Sequence, residues 1–417
     1  MVALNEAHDL DALLDDIKDS TIVMLGEASH GTHEFYTWRT AISKRLIEEK
    51  GFRFIAVEGD WPDCYMINRY VKGYADAGED IADVLKKFDR WPAWMWANWE
   101  TAALAEWLKS YNNHLSIANQ IGFYGLDVYS LWDSMKAVLD YLQKEDPAVL
   151  NVVKKAFRCF EPFGEDEREY ARFTNDAYNC SEELIALLHE VRLKSQFLNG
   201  DREAGFNTTQ NALIAVNAEK YYRTMMEFNN ESWNIRDEHM IETLDGLLQF
   251  HGDKAKAIVW AHNTHIGDAR ATPMHDAGMV NLGQLAREKY GLAKVYLVGF
   301  SSYEGTVLAG EDWGAPMQEM QVPGAREGSV ENFLHEKGKN HYWLLRHDVN
   351  PVFQSPLPHR AIGVVYRPIR EKYGNYVPSL IAQRYDALVF LDETKALHPL
   401  ALHHDRHKLP GTWPFNL

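Results

Sequence analysis

The sequence predicts an α/β protein: a largely parallel central sheet flanked by helices, with a large inserted helical lobe forming a cleft over the carboxyl ends of the strands. Three observations carry that expectation. Short β-branched apolar runs recur with helical stretches between them, as strands buried on both faces and joined by crossover helices do. Between about 131 and 250 the strand signal disappears, and apolar residues fall three and four apart instead. Finally, 46% of the 417 residues are hydrophobic and 25% charged, which supplies a large core and excludes a disordered or fibrous chain.

Taken in order, TIVML (21–25) is the first strand, HEFYTWRTAISKRLIEEKG a helix ending at Gly51, and RFIAV (53–57) the second strand. That is one βαβ unit. The strand is expected to end at Glu58, with the backbone turned away by Asp60. The stretch 62–119 is mostly helical, punctuated by Trp91-Pro92, and should pack beside the lobe over the same sheet edge. Its aromatic run DRWPAWMWANWETAALAEW (89–107) either fills a core or lines a pocket for an apolar ligand. IGFYGL (121–126) is a third strand. YSLWDSMKAVLDYLQ, TNDAYNCSEELIALLHEVRLKSQFLN and QNALIAVNAEKYYRTMMEF then build the lobe. KAIVWA (256–261), KVYLVGF (294–300), AIGVVY (361–366) and ALVFL (387–391) complete the sheet. The division is therefore 1–61, 120–130 and 251–417 in the α/β core, with 62–119 and 131–250 in the helical lobe.

Several function classes are disfavoured at once. A net charge of −17 repels a phosphate backbone and anionic lipid, so neither nucleic acid nor membrane is an expected partner. No stretch approaches the roughly 18–20 apolar residues of a membrane span, and MVALNEAHDLDALLDDIKDS lacks the marks of a signal peptide, so a cytoplasmic protein is expected. Cys64, Cys159 and Cys180 have no zinc-type spacing and read as buried thiols. There is no P-loop and no G-x-G-x-x-G, and no cofactor is expected. Tyr303 stands where the serine-hydrolase elbow needs its second glycine after Gly299-Phe300-Ser301-Ser302.

Ligands bind outside the carboxyl ends of parallel strands, and here those ends are unusually charged. TIVML runs into Gly26-Glu27-Ala28-Ser29-His30-Gly31, RFIAV into Glu58-Gly59-Asp60, GFYG into Leu126-Asp127, and KAIVWA into His262-Asn263-Thr264-His265. Buried carboxylates need partners, and His30, His262, His265 and Arg39 are the available ones. Acids at helix starts also serve as caps, but capping explains neither G-E-x-x-H-G nor H-N-x-H. The pairs His30/His33 and His262/His265 have a spacing that suits a shared metal ion, yet Thr37 breaks the HExxH pattern begun at His33-Glu34, and no metal is expected. Acid/base chemistry on water by histidine and carboxylate remains.

LGEASHGTHEFYTWR, FIAVEGDW, WAHNTHIGDAR, AIGVVYRP and NYVPSLIAQRYDALVFLDET resemble the erythromycin esterase family, over about residues 20–400. The resemblance implies an α/β core with a helical lobe, a deep cleft, and hydrolysis of a macrolide lactone ester without a serine nucleophile. It marks Glu27, His30, Arg39, Glu58, His262 and His265 as the catalytic set. In the mechanism expected, His30 is general base on water, oriented by Glu27 or Glu58. Arg39 stabilises the oxyanion or pairs with Glu58, and His262 or His265 protonates the leaving alkoxide. The expected partner is a small-molecule ester, with cationic macrolides, and hence antibiotic resistance, among the candidates because an acidic cleft attracts amines. Two rival readings use the same residues: a non-catalytic protein binding a metal, haem or cationic ligand, and a hydrolase of an endogenous or polysaccharide acyl ester. The tail His403-His404-Asp405-Arg406-His407 is expected to be solvated.

Overall fold

A computed structural model describes residues 1–145, 150–174, 179–195, 201–227, 230–348 and 350–400, and the histidine-rich tail lies outside them. Eleven strands occur among these residues: β1 (Val2–Ala3), β2 (Ile22–Leu25), β3 (Phe54–Asp60), β4 (Gly122–Asp127), β5 (Ala257–Trp260), β6 (Val295–Gly310), β7 (Met317–Val322), β8 (His341–Leu344), β9 (Leu357–Arg360), β10 (Tyr376–Ser379) and β11 (Ala387–Thr394). Nine form one sheet in the order β1-β8-β11-β6-β2-β5-β3-β4, with β7 added on β6, and β9 pairs with β10 alone. From β11 across to β4 every neighbouring pair is parallel. The connection leaving β2 runs toward β3 and that leaving β5 runs toward β6, opposite ways across the strand order. Their carboxyl ends therefore flank the crevice where α/β sheets hold ligands.

Alternation along the strands feeds two apolar faces. Val23, Leu25, Ile55, Val57, Ile258 and Trp260 pack with the helices His33–Lys50, Trp61–Val71 and Trp99–Asn112. Met24, Phe54, Ala56 and Val259 face the other way, against Met240, Leu244 and Leu247 of the helix Glu231–His251. A third cluster, including Leu131, Met135, Phe160, Tyr170 and Tyr222, is the lobe's own core. The aromatic run serves both uses open to it: Trp94 is wholly buried, whereas Trp91 and Trp96 border a cavity.

Three expectations are corrected. AIGVVY is not a strand. It makes only isolated bridges, Ser29 to Ile362 and Gly310 to Val365, and its buried Ile362 and Val364 owe their apolarity to covering the strand ends, not to a ladder. β3 does not stop at Glu58; it continues to Asp60, with an irregularity between Val57 and Asp60 that keeps both acids beside the cleft. Cys159 and Cys180 are joined in a disulfide, while Cys64 is the buried thiol expected. The bond links the helix Leu150–Phe160 to the residue preceding the helix Ser181–Ser195, neighbours only in the folded lobe, so no local spacing announces it. Among the described residues no helix is long and apolar enough to cross a membrane.

Candidate active site

The site is assembled at the carboxyl ends of β2, β3, β4 and β5. The two glycines of the first motif are forced by close approach. A Cβ at Gly26 would lie 2.1 Å from Asn263 Oδ1, and one at Gly31 would lie 1.9 Å from the Leu308 carbonyl oxygen. Between them the chain turns His30 back toward Glu27, whose Oε1 is 2.9 Å from His30 Nδ1. A carboxylate only accepts, so Nδ1 carries the hydrogen and Nε2 keeps its lone pair. The second Glu27 oxygen is 2.5 Å from Nη2 of Arg39. Arg39 is fully buried, with its guanidinium 4.5 Å from the Tyr36 ring and 4.6 Å from the Trp260 ring, and it does not border the cavity. It therefore pairs with Glu27 and not with Glu58, and it fixes the carboxylate that orients His30.

His262 packs against His30, ring centroids 4.9 Å apart. Its Nδ1 accepts the backbone N–H of Thr264 at 3.2 Å, which places the ring hydrogen on Nε2. That Nε2 is buried and has no hydrogen-bond partner among the described residues. Burial, reinforced by the positive charge His30 can carry, pushes His262 well below the usual histidine range, so the ring is a neutral donor.

Glu58 ties β3 to β5 and to the lobe. Its Oε2 accepts the His262 backbone N–H at 2.8 Å and its Oε1 accepts Arg236 Nη2 at 2.8 Å. Burial favours a neutral carboxyl, but His265, Arg236 and His30 outweigh it and hold Glu58 well below the usual carboxylate range. Arg236 also forks onto Asp127, with contacts of 2.9 and 2.7 Å. His265 has Nδ1 3.0 Å from both oxygens of Asp237, and Trp233 stacks on its ring at 4.6 Å. Its Nε2 lies 3.0 Å from Arg236 Nη1 and 3.4 Å from Glu58 Oε1. Against the cost of burial, Asp237 and Glu58 hold this ring up at about 9, so below that pH it donates to Glu58, and above it the ring accepts from Arg236. Both nitrogens of His265 are thus occupied.

Arg236 and Asp237, from the helix Glu231–His251, were missed by sequence reasoning. The one signal for them is a charged pair inside an otherwise amphipathic stretch, which usually marks a solvated face. His33 belongs elsewhere: its Nδ1 contacts Glu100, so it does not join His30.

The cavity in front of His30 measures about 80 Å³. Its polar lining includes His30, Glu58, Asp127, Arg236, Arg90 and Tyr129, and Trp91, Trp96, Phe88, Met95, Trp313 and Val364 form the apolar walls. Asp60 and Asp63 edge it as well. Asp60 contacts Arg90 Nε at 2.7 Å, and burial, only partly offset by that arginine, raises its carboxyl to about 6.

This geometry separates the two acids at the end of β3. Both Glu58 oxygens accept from fixed donors, so Glu58→Gln must turn its amide NH2 against either Arg236 or the His262 N–H. Asp60 Oδ1 has no partner among the described residues, which leaves an asparagine amide free to face that side. A charged buried hydrogen bond is worth about 1.5–3 kcal/mol, roughly ten- to a hundredfold in rate. Glu58→Gln should therefore lower kcat/KM by about that factor more than Asp60→Asn. Equal losses in parallel assays of the two variants would refute the distinction.

The sequence profile of the family described as erythromycin esterase matches residues 47–394. Erythromycin esterase type II of Escherichia coli is 25% identical over 376 residues, 81% of this chain and 84% of that protein. A solved Bacillus cereus protein superposes with a TM-score of 0.79 at 20% identity, covering 95% of this chain and 94% of that one. A mutant of the erythromycin esterase EreC in its open conformation superposes with a TM-score of 0.68 at 16% identity, covering 96% and 97%. These likenesses confirm the α/β fold with its helix-flanked central sheet. With the profile spanning most of its length, the chain belongs to the erythromycin esterase family.

Proposed function

We propose that this protein hydrolyses a carboxylic ester with water activated by His30. The observation that carries the reading is the His30 ring itself: Nδ1 is fixed on Glu27, Glu27 is fixed on Arg39, and the ring borders the cavity beside the neutral His262. In the mechanism, His30 Nε2 takes a proton from water as the water oxygen attacks the ester carbonyl carbon. Glu27 stabilises the imidazolium formed. His262 does not itself border the cavity; its unpartnered Nε2–H, beside the His30 ring, is the neutral donor we assign to the developing oxyanion. Collapse of the tetrahedral intermediate breaks the bond to the alkoxide, which receives the proton from His30. Acid and alcohol leave, and the ring returns to its starting state. His265, with both nitrogens engaged, positions Arg236 and Glu58.

The cavity limits the substrate. Ligand pockets for drug-sized molecules run to about 300–1,000 Å³. At about 80 Å³ this one admits the reacting ester group and its nearest carbons, with the rest of a larger substrate left outside it. The net charge of −17 favours a cationic substrate. The test is a panel of esters of graded size, including a 14-membered macrolide lactone, assayed before and after exhaustive dialysis against a chelator. Hydrolysis that survives the chelator is the expected result. If the chelator removes activity and stoichiometric zinc, iron or manganese restores it, the histidines are ligands and the metal-free route is wrong. Tight binding of an ester with no turnover would make the protein a binding module instead.

A further inference from the structure

Outside the cavity, three chemistry-bearing side chains from distant parts of the chain meet at one point. His33 opens the helix His33–Lys50, Glu100 stands in the first turn of the helix Trp99–Asn112, and His398 lies in the segment that follows β11. Nδ1 of His33 is 2.6 Å from Glu100 Oε1, and Nδ1 of His398 is 2.6 Å from the same oxygen. The two rings are nearly perpendicular, with centroids 5.1 Å apart, and the three potential ligand atoms all lie within 4.8 Å of one another. None of the three borders the cavity.

The backbone fixes all three positions independently of any side-chain contact. The His33 N–H donates to the Lys395 carbonyl at 2.8 Å, the Trp99 N–H donates to the His398 carbonyl at 3.0 Å, and Asn98 bridges Pro399. The carboxylate of Glu100 is only 4% exposed, while His33 and His398 are 31% and 61% exposed. The acceptor is thus sunk and the imidazoles form an open rim, a closed base with room for water above. Bonds of ~2.0–2.1 Å set tetrahedral ligand atoms ~3.4 Å apart, so the two rings need to withdraw from Glu100 by less than about 1 Å to admit an ion.

We propose that His33, Glu100 and His398 form a site for a borderline divalent transition ion of the zinc, nickel or copper kind, with water completing its shell. Two imidazoles and one carboxylate suit these ions, whereas calcium and magnesium take all-oxygen shells. Bound there, the ion fastens the segment after β11 to the first turns of two helices that pack on the sheet. It is separate from the His30 cleft and acts on stability, so it is compatible with hydrolysis that survives chelation.

Zinc chloride titrated into the full chain after chelator stripping, followed by calorimetry and by the thermal midpoint, tests this. Wild type should bind one zinc ion tightly, with the midpoint rising as the ion is added. Loss of an outer-shell partner costs roughly 10–100-fold in metal affinity, and loss of a ligand should exceed that in both His33→Ala and His398→Ala. Circular dichroism of the metal-free variants checks that each is folded, and Glu100→Gln, nearly isosteric, supplies a third variant whose affinity should also fall. His262→Ala should bind zinc as wild type does. No stoichiometric binding by wild type, or wild-type affinity in both His33→Ala and His398→Ala, overturns the proposal, as does a loss confined to His262→Ala. Because the readout is zinc binding, failure here is distinct from failure of the esterase reading.

Discussion

His30→Ala should lower kcat by about 10²–10⁴-fold, the range of general-base catalysis, while leaving the thermal unfolding midpoint close to that of wild type. The two halves of this expectation come from one geometry. His30 supplies the lone pair that faces the cavity, and no other ring in the site offers one: His262 presents a hydrogen at Nε2, and both nitrogens of His265 are engaged. Removing the imidazole leaves no buried charge alone, because Glu27 keeps its contact with Arg39. The side chain also borders an existing cavity, so its loss enlarges a void and does not open one in packed core. Turnover and thermal melts on the same preparation check both halves. Near-wild-type turnover would remove His30 from the mechanism. Lost activity together with a large drop in midpoint would make it a packing residue.

The parts of this protein legible in the sequence are those whose physics is local. A parallel strand buried on both faces must be apolar along its whole length, so β2 to β6 and β11 announce themselves. The residue that leaves such a strand must be polar only if something uses it. That is why Glu27, His30, Glu58 and His262 stood out. What the sequence concealed are relations across the fold. β7 to β10 lie toward the edges or outside the main sheet, where mixed burial such as that along Met317–Val322 blurs any alternation. The run at 361–366 is apolar because it is covered, and apolarity alone does not say by what. Arg39 was found, but its partner could not be: it lies nine positions beyond His30, on the helix that starts at His33, and only the fold decides that it reaches Glu27. Arg236 shows the limit best. A charged pair on a long helix is indistinguishable in sequence from a solvated face, yet here that face is turned into the ends of β3, β4 and β5.

Arg236→Met should consequently be the most destabilising single change in the site, and it should slow the reaction as well. Methionine matches the length of the side chain but leaves Glu58 and Asp127, two nearly buried carboxylates, without the guanidinium that contacts both. Breaking a buried ion pair by removing one partner costs about 3–5 kcal/mol, several times the effect of trimming a surface charge. Catalysis should fall with it, since Glu58 holds the His262 backbone and cannot keep its charge and position unaided. The pH dependence separates this cause from simple misfit. With Arg236 gone, one of the groups holding Glu58 down is lost while the burial that pushes it up remains, so its folded-state pKa rises. The folded variant therefore binds a proton more readily than folded wild type does, so the difference in stability between the two shrinks as pH falls. Chemical denaturation at pH 7.5 and at pH 5.5 should therefore show the variant recovering part of its deficit relative to wild type at the lower pH. A deficit that is the same at both values, or that grows on acidification, would mean that Arg236 serves packing and that the carboxylates at the strand ends are held by other means.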